Sequence, residues 1–305
     1  MDDMYGKRKP RNTIRRTGED RAISLIVGLM MLFVFLVTVY PFWYAVVLSF
    51  NEGTDALRGG IYLWPRKITL DNYNAVLGIE YIPAAFLISV GRTLLGTVCC
   101  VLFTGLFAYA CSHKKLMFRK FYITLMIITM YFSGGLIPKY VLFKALGLMN
   151  TFWVYIIPNL FASFNAIIMM NAFREIPDSL EEAAYLDGAN DLKIFLRIIL
   201  PISMPTMATM ALYSGVWHWN SWSDSAFFVT NKSLKTLANV MINLINQSES
   251  AAQTMVGQMT RKNTTYTAMT LRPAAMVICV IPVAVVYPFL QKYFVKGVMI
   301  GSVKE

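Results

Sequence analysis

Between Ile176 and Pro201 the chain gathers residue types that recognise another protein rather than transform a small molecule. Pro177, Asp178 and Ser179 mark a helix start, because a fixed φ and short polar side chains both suit a first turn. Ser179 and Glu182 have the S-x-x-E spacing of a capping box. Gly188 can take the left-handed conformation that ends a helix, and Asn190 or Asp191 can cap a second one. The second helix puts Leu192, Phe195, Leu196 and Ile199 on one apolar face before it meets Pro201. In the first helix Ala183 and Ala184 leave a thin face, with Glu182 and Asp187 beside them. A thin, exposed, charged helix suits docking into a groove on a partner. The plainer alternative is an inert, well-capped loop, and these residues alone do not separate the two.

Groups for covalent chemistry are scarce. The chain lacks G-x-x-x-x-G-K-[ST], the loop that cradles nucleotide phosphates. Its Gly6-Lys7 pair is followed by Arg8, and H-E-x-x-H and G-x-S-x-G are absent. Cys99, Cys100, Cys111 and Cys279 lie in or beside apolar stretches without a C-x-x-C pair, so they read as small buried hydrophobes, with neither disulfides nor metal. Every Asp and Glu falls outside the apolar stretches. Of the two histidines, His113 falls in a loop and His218 near the end of a stretch. Arg92 is the one clearly intramembrane charge, and it is expected to snorkel outward. Proton- and ion-driven carriers usually need buried carboxylates or histidines. They are disfavoured here, with backbone-coordinated sodium as the remaining option.

The elements that must position these residues follow from composition. The chain is 56% hydrophobic and 15% charged, against roughly half and a quarter in soluble domains. About 20 apolar residues cross a bilayer as a helix, and stretches of that order lie near Ala22–Leu48, Phe86–Ala110, Phe121–Ile137, Phe152–Ala172, Pro201–Trp222 and Ala274–Phe294. The expected fold is all-α: a polytopic membrane protein with six transmembrane helices. Gly134-Gly135 and Pro205 interrupt the third and fifth, which packed neighbours can tolerate. Tyr40-Pro41-Phe42-Trp43-Tyr44 resembles an interfacial aromatic belt. The first apolar run is longer than a signal-peptide core, and no small-residue cleavage site follows it. Most of the 28 Lys and Arg fall in the N-terminal tail, the segments after the second and fourth stretches, and the C-terminal end. By the positive-inside rule both termini are cytoplasmic. The net charge of +11 is then a topology and lipid-headgroup signal rather than a nucleic-acid footprint. The expected organisation is a cytoplasmic basic tail (1–21), a first transmembrane helix (22–48) and a core (86–296) with five more. That core includes the paired helices at 176–200 and an extracellular loop at 223–272.

The 176–201 segment resembles the EAA motif of ABC importer permeases, E-A-A-x3-G-x9-I-x-L-P. Glu182, Ala183, Ala184, Gly188, Ile198, Leu200 and Pro201 match every fixed position at its spacing, between the fourth and fifth stretches. Phe132-Ser133-Gly134-Gly135-Leu136-Ile137-Pro138, Gly147-Leu148-Met149-Asn150-Thr151-Phe152-Trp153 and Trp219-Asn220 resemble the carbohydrate-uptake permeases. The similarity is greatest to the LplC/YtcP-like oligosaccharide branch and extends more distantly to MalG-like maltose permeases.

The resemblance implies a MetI-like type I ABC importer permease fold in the cell membrane of a prokaryote. It implies a second permease subunit as heterodimer partner, two ATPase subunits, an extracellular solute-binding lipoprotein and a carbohydrate, within membrane lipids and without nucleic acid. This chain would not be an enzyme and would bind no cofactor, with ATP and magnesium on the partner ATPase. The coupling role carries to Glu182, Ala183, Ala184, Asp187 and Gly188. A sugar path would use aromatic faces and amides, for which Tyr131, Asn165, Trp217, Trp219, Asn220 and Trp222 are candidates, although interfacial aromatics are also common. Ser248, Gln253 and Gly257 fall in the polar outer loop and are candidates for binding-protein contact; a passive loop is the alternative. The rival readings are import of a non-sugar solute, an ion-independent secondary carrier, and a membrane enzyme with acidic surface pairs.

Overall fold

The computed structural model describes residues 18–254 and 265–300. The basic tail up to residue 17 and Gly257 lie outside the described residues, as do the side chains of Ser248 and Gln253. Among the described residues the fold is helical, and its one β contact is an isolated bridge between Asn51 and Ile68.

Three helices are long and apolar enough to cross a membrane unbroken: α1 (Gly18–Ser49), α4 (Ile82–Ser112) and a segment Met269–Pro288 of α14 (Ala268–Ile300). The short α2 (Gly53–Ala56) and α3 (Asp71–Leu77) lie between the first two. Three further spans are bent pairs. α5 (Arg119–Tyr131) and α6 (Leu136–Ala145) meet at 116°. A turn at Phe152–Asn159 meets α7 (Ser163–Arg174) at 48°. After α8 (Asp178–Leu186), the run Asp191–Ile202 meets α11 (Met204–Asn220) at 88°. Counted one span per pair, the described residues hold up to six candidate spans, which overlap the six expected stretches.

The breaks fall where the backbone cannot continue a helix. Gly135 sits at φ +82° and ψ −175° between α5 and α6, a region essentially reserved for glycine that costs a residue with a Cβ about 1–3 kcal/mol. The run Asp191–Ile202 contains α9 (Asp191–Ile194), a wide π turn at Phe195–Ile199 and α10 (Leu200–Ile202). Pro201 cannot donate a backbone hydrogen bond and its ring crowds the preceding turn; the Leu200 N–H reaches back to the Phe195 carbonyl, an i to i−5 bond. Pro205 then occupies the first turn of α11, where proline is favoured, so the expected interruption becomes a helix start.

α4 occupies the centre and packs against α7 and α11, while α1 packs against α14. Ser89, Gly96, Cys100, Thr104 and Ala108 are buried along α4, a row of small residues that lets backbones approach closely. A Cβ on Gly96 would lie 2.6 Å from the His218 ring of α11, and His218 is itself buried. At the opposite extreme, the 18-residue apolar window of α1 has a mean hydropathy of 2.8 and is 0% buried. Such a surface is stable only in apolar surroundings.

Arg92 departs from expectation. Instead of snorkelling it is 0% exposed. Its Nη2 donates to Asp224 Oδ2 at 2.8 Å and its Nη1 to the Ser221 carbonyl at 2.9 Å. Its guanidinium lies 4.6 Å from the Tyr155 ring centroid. The reason is α12 (Ser223–Phe228), which folds back so that a carboxylate from outside the span reaches the buried cation. The N-terminal end of α14 is fastened to the end of α1 by a second polar cluster. Asn72 donates to the carbonyls of Ser49 and Asn51 at 2.9 and 2.8 Å and accepts from Thr270 at 2.7 Å.

Two outcomes follow for the purified protein in detergent. Gly96→Val lowers the thermal midpoint clearly, because its side chain must enter the His218 ring, whereas Gly91→Ala, whose Cβ meets Phe152 at 3.6 Å, does not. Arg92→Ala costs about 3 kcal/mol or more by stranding Asp224, and Arg92→Met combined with Asp224→Leu restores part of it. Equal midpoints for the single and double variants in a melting assay would show that the pair is not the cause.

Candidate functional site

α8 is a nine-residue helix whose end is built by one glycine. Gly188 has φ +76°. Its N–H donates to the Tyr185 carbonyl at 3.0 Å, and the Ala189 N–H donates to the Ala184 carbonyl at 3.0 Å, the paired bonds of a Schellman end. A Cβ on Gly188 would meet nothing within 4 Å, so the requirement is conformational rather than spatial. Asn190 caps the next helix as expected, its side chain accepting from the Lys193 N–H at 2.9 Å.

The expected capping box does not form. Pro177 stands at the N-cap position and no side chain caps α8. Ser179 is therefore already inside the first turn, too far along to serve the cap. Glu182 is left exposed on the surface, together with Ala183, Asp187 and Gly188. Ala184 is the exception in the predicted set: it is buried and packs in a core with Tyr109, Phe173, Ile194 and Phe195. Leu186, which sequence reasoning passed over, is 90% exposed. A fully presented leucine four residues after Glu182 is the kind of anchor an exposed docking helix inserts in a groove. Its spacing on a polar helix was the available signal.

The helix is held from three sides. Ala184 seats it on α4 and α7 through the shared core. The Tyr185 hydroxyl donates to Asp191 Oδ1 at 2.5 Å, a bond that pushes the phenol up to about 12. His113, at the end of α4, places Nε2 2.7 Å from Glu181 Oε2. The His113–Glu181 contact spans 68 residues, and no local sequence signal marks it.

A second feature lies where the fourth and fifth spans meet. A cavity of about 300 Å³ is lined by Asn159, Phe161, Ala162, Asn165, Tyr213, Ser214 and Trp217. Its position follows from the break between the Phe152–Asn159 turn and α7, which opens the helix wall. Aromatic faces and amides share this lining, the combination that binds polyhydroxylated solutes. Asn165 and Trp217 are thus brought together. The Trp217 ring is further backed by the Arg92 guanidinium at 5.9 Å and by His218 at 5.0 Å. The other candidates stand elsewhere. Tyr131 is 81% exposed at the end of α5. Trp219 donates to the Cys279 carbonyl at 3.1 Å and packs against Phe86. Asn220 donates to Val216 on its own helix at 3.0 Å, and Trp222 rests near Phe227.

Residues 116–300 match the family described as binding-protein-dependent transport system inner membrane component. The polygalacturonan/rhamnogalacturonan transport system permease protein YtcP of Bacillus subtilis (strain 168) is 36% identical over 280 residues, covering 92% of this chain and 97% of that protein. Protein LplC of the same organism is 33% identical over 293 residues, covering 96% and 98%. A crystal structure of a bacterial ABC transporter involved in the import of the acidic polysaccharide alginate contains a chain that superposes with a TM-score of 0.82 at 28% identity. That superposition covers 91% of this chain and 98% of the other. With the motif, the broken spans and the exposed helix of one accord, this chain belongs to the family of binding-protein-dependent transport system inner membrane components.

Proposed function

We propose that the chain is the permease subunit of an ABC importer for an oligosaccharide or related carbohydrate, and that α8 couples it to a separate ATPase. The observation that carries the reading is the presentation of α8. Glu182, Ala183, Leu186 and Asp187 face outward beside a left-handed glycine end, while Ala184 ties the same helix into the core of α4 and α7. A helix anchored on one face and free on the other transmits a push from a docked partner into the bundle. Here the push continues through Asp191–Ile202 into α11 across the 88° bend.

In this reading a second permease completes the pathway and two ATPase subunits receive the two coupling helices. A solute-binding lipoprotein delivers cargo at the opposite end, where Ser248, Gln253 and Gly257 are the candidates for contact. ATP and magnesium belong to the ATPase, and this chain binds neither. The α8 end and both termini face the cytoplasm, in keeping with the distribution of Lys and Arg. The cavity of Asn165, Tyr213 and Trp217 is the stretch of solute path this chain contributes. The carbohydrate class is supported by that lining and by the named substrates of the relatives.

Two experiments test this reading. Tagged protein extracted with its complex brings down an ATPase and a second six-span protein. Glu182→Arg and Leu186→Asp lose the ATPase and keep the second permease; retention of the ATPase by both variants removes α8 from the interface. In reconstituted vesicles Trp217→Ala lowers ATP-driven uptake several-fold with the complex intact, since one ring contact is worth about 1 kcal/mol. Unchanged uptake places the solute path elsewhere.

A further inference from the structure

We propose that His113 is a positioning residue for the coupling helix: it forms, with Glu181, a proton-held latch between the end of α4 and the first turn of α8. The proposal rests on the reading of α8 as the coupling element and adds a residue and a control that the EAA segment does not contain.

The geometry sets the protonation. His113 Nδ1 lies 2.9 Å from the Tyr109 carbonyl oxygen. A carbonyl only accepts, so Nδ1 carries a hydrogen. Nε2 lies 2.7 Å from Glu181 Oε2, and that contact also needs a proton between its two atoms. Whether the proton is written on the imidazole or on the carboxyl, its removal leaves two lone pairs facing each other at hydrogen-bonding distance. The latch exists with that proton and opens without it.

The helix ends favour the charged form. His113 follows the last turn of α4 and Glu181 is in the first turn of α8. A cation is stabilised at a helix C-terminus and an anion at an N-terminus. The two side chains are 33% and 17% exposed, so the proton exchanges with solvent while the contact stays partly shielded. The groups facing the imidazole are Tyr109 of its own helix, with ring centroids 4.7 Å apart, Glu181 of α8 and, further off, Asp191 of α9. Tyr185 is committed to Asp191. The cations nearby in the chain are Lys114, Lys115 and Arg119, and Arg119 donates its Nε to the Cys111 carbonyl at 2.7 Å.

Burial opposes the charge on His113, but the bonds to Glu181 and to the Tyr109 carbonyl outweigh it, and the imidazole is raised above its ordinary 6.5. A raised histidine contributes its stabilisation fully below the unfolded value and loses it as pH rises through the folded one. The latch is therefore closed at low pH and released as pH rises through that raised value.

The test uses the whole complex in vesicles, with the pH at the α8 face varied from about 6 to about 9. ATP hydrolysed per solute transported is one readout. Hydrogen exchange of the α8 amides, corrected for the intrinsic rate, is the other. Wild type loses α8 protection and wastes about threefold more ATP per solute as pH rises. His113→Ala shows the loosened state at every pH, Glu181→Ala reproduces it, and the double variant adds nothing further. His113→Lys, whose charge persists over this range, flattens both profiles. The latch is overturned if His113→Ala keeps the wild-type pH profile, or if it matches wild type at about pH 6 in α8 protection. Absence of ATP-driven uptake by wild type at any pH would instead remove the transport reading, while the exchange data still decide the latch.

Discussion

The bundle depends on how closely α4 can approach its neighbours. Apolar side chains gain nothing by leaving lipid for a helix interface, so association must come from tight packing and from bonds between helices. The row Ser89, Gly96, Cys100, Thr104 and Ala108 supplies the closeness. Gly96 admits the His218 ring, and Gly105 leaves 3.2 Å to Met207 and 3.3 Å to Phe195 for a Cβ that is not there. The last contact matters beyond the span, because Phe195 belongs to the run that follows α8 and shares a core with Ala184. The α8 helix and the membrane bundle are thus parts of one packed body.

Several buried polar groups in this body find their partners on other elements. Arg92 joins α4 to α12 through Asp224 and passes behind Trp217 of α11. Ser89 of α4 accepts from the Leu237 N–H at 2.8 Å, at the start of α13 (Leu237–Thr254). A buried pair of this kind is weak evidence for stability but costly to break singly. It fixes the return of α12 and α13 onto the bundle, and so the geometry behind the aromatic cavity.

The broken spans serve the same end. A continuous helix offers no opening, whereas the turn at Phe152–Asn159, the break at Gly135 and the prolines around Ser203 each free backbone groups from helical bonding. Neighbouring contacts take some of these up: the Ala162 N–H donates to Thr104 of α4 at 3.1 Å. One break lies beside the cavity, and another sets the Asp191–Ile202 run at 88° to α11, between it and α8.

Much of this was legible in the sequence. Six apolar stretches, two of their interruptions, the Gly188 helix end and the Asn190 cap depend on local composition and backbone preference, which a sequence displays directly. The motif places α8 and its end because its fixed residues encode that local geometry. The capping box failed for a local reason too: Pro177 took the cap position and left Ser179 one step inside the helix. Tertiary structure alone decided the rest. The partner of Arg92 is 132 residues away and that of His113 is 68 away. Which aromatics line a cavity depends on how helices rotate about one another. Trp217 and Trp219 are two residues apart, yet one lines the cavity and the other is spent on the Cys279 carbonyl. Composition determined that this chain carries membrane-spanning stretches and a short polar helix between the fourth and fifth of them, because hydropathy and backbone preference are properties of short segments. Only packing determined which charges are paired and which rings face the cavity, because those depend on residues far apart in the chain.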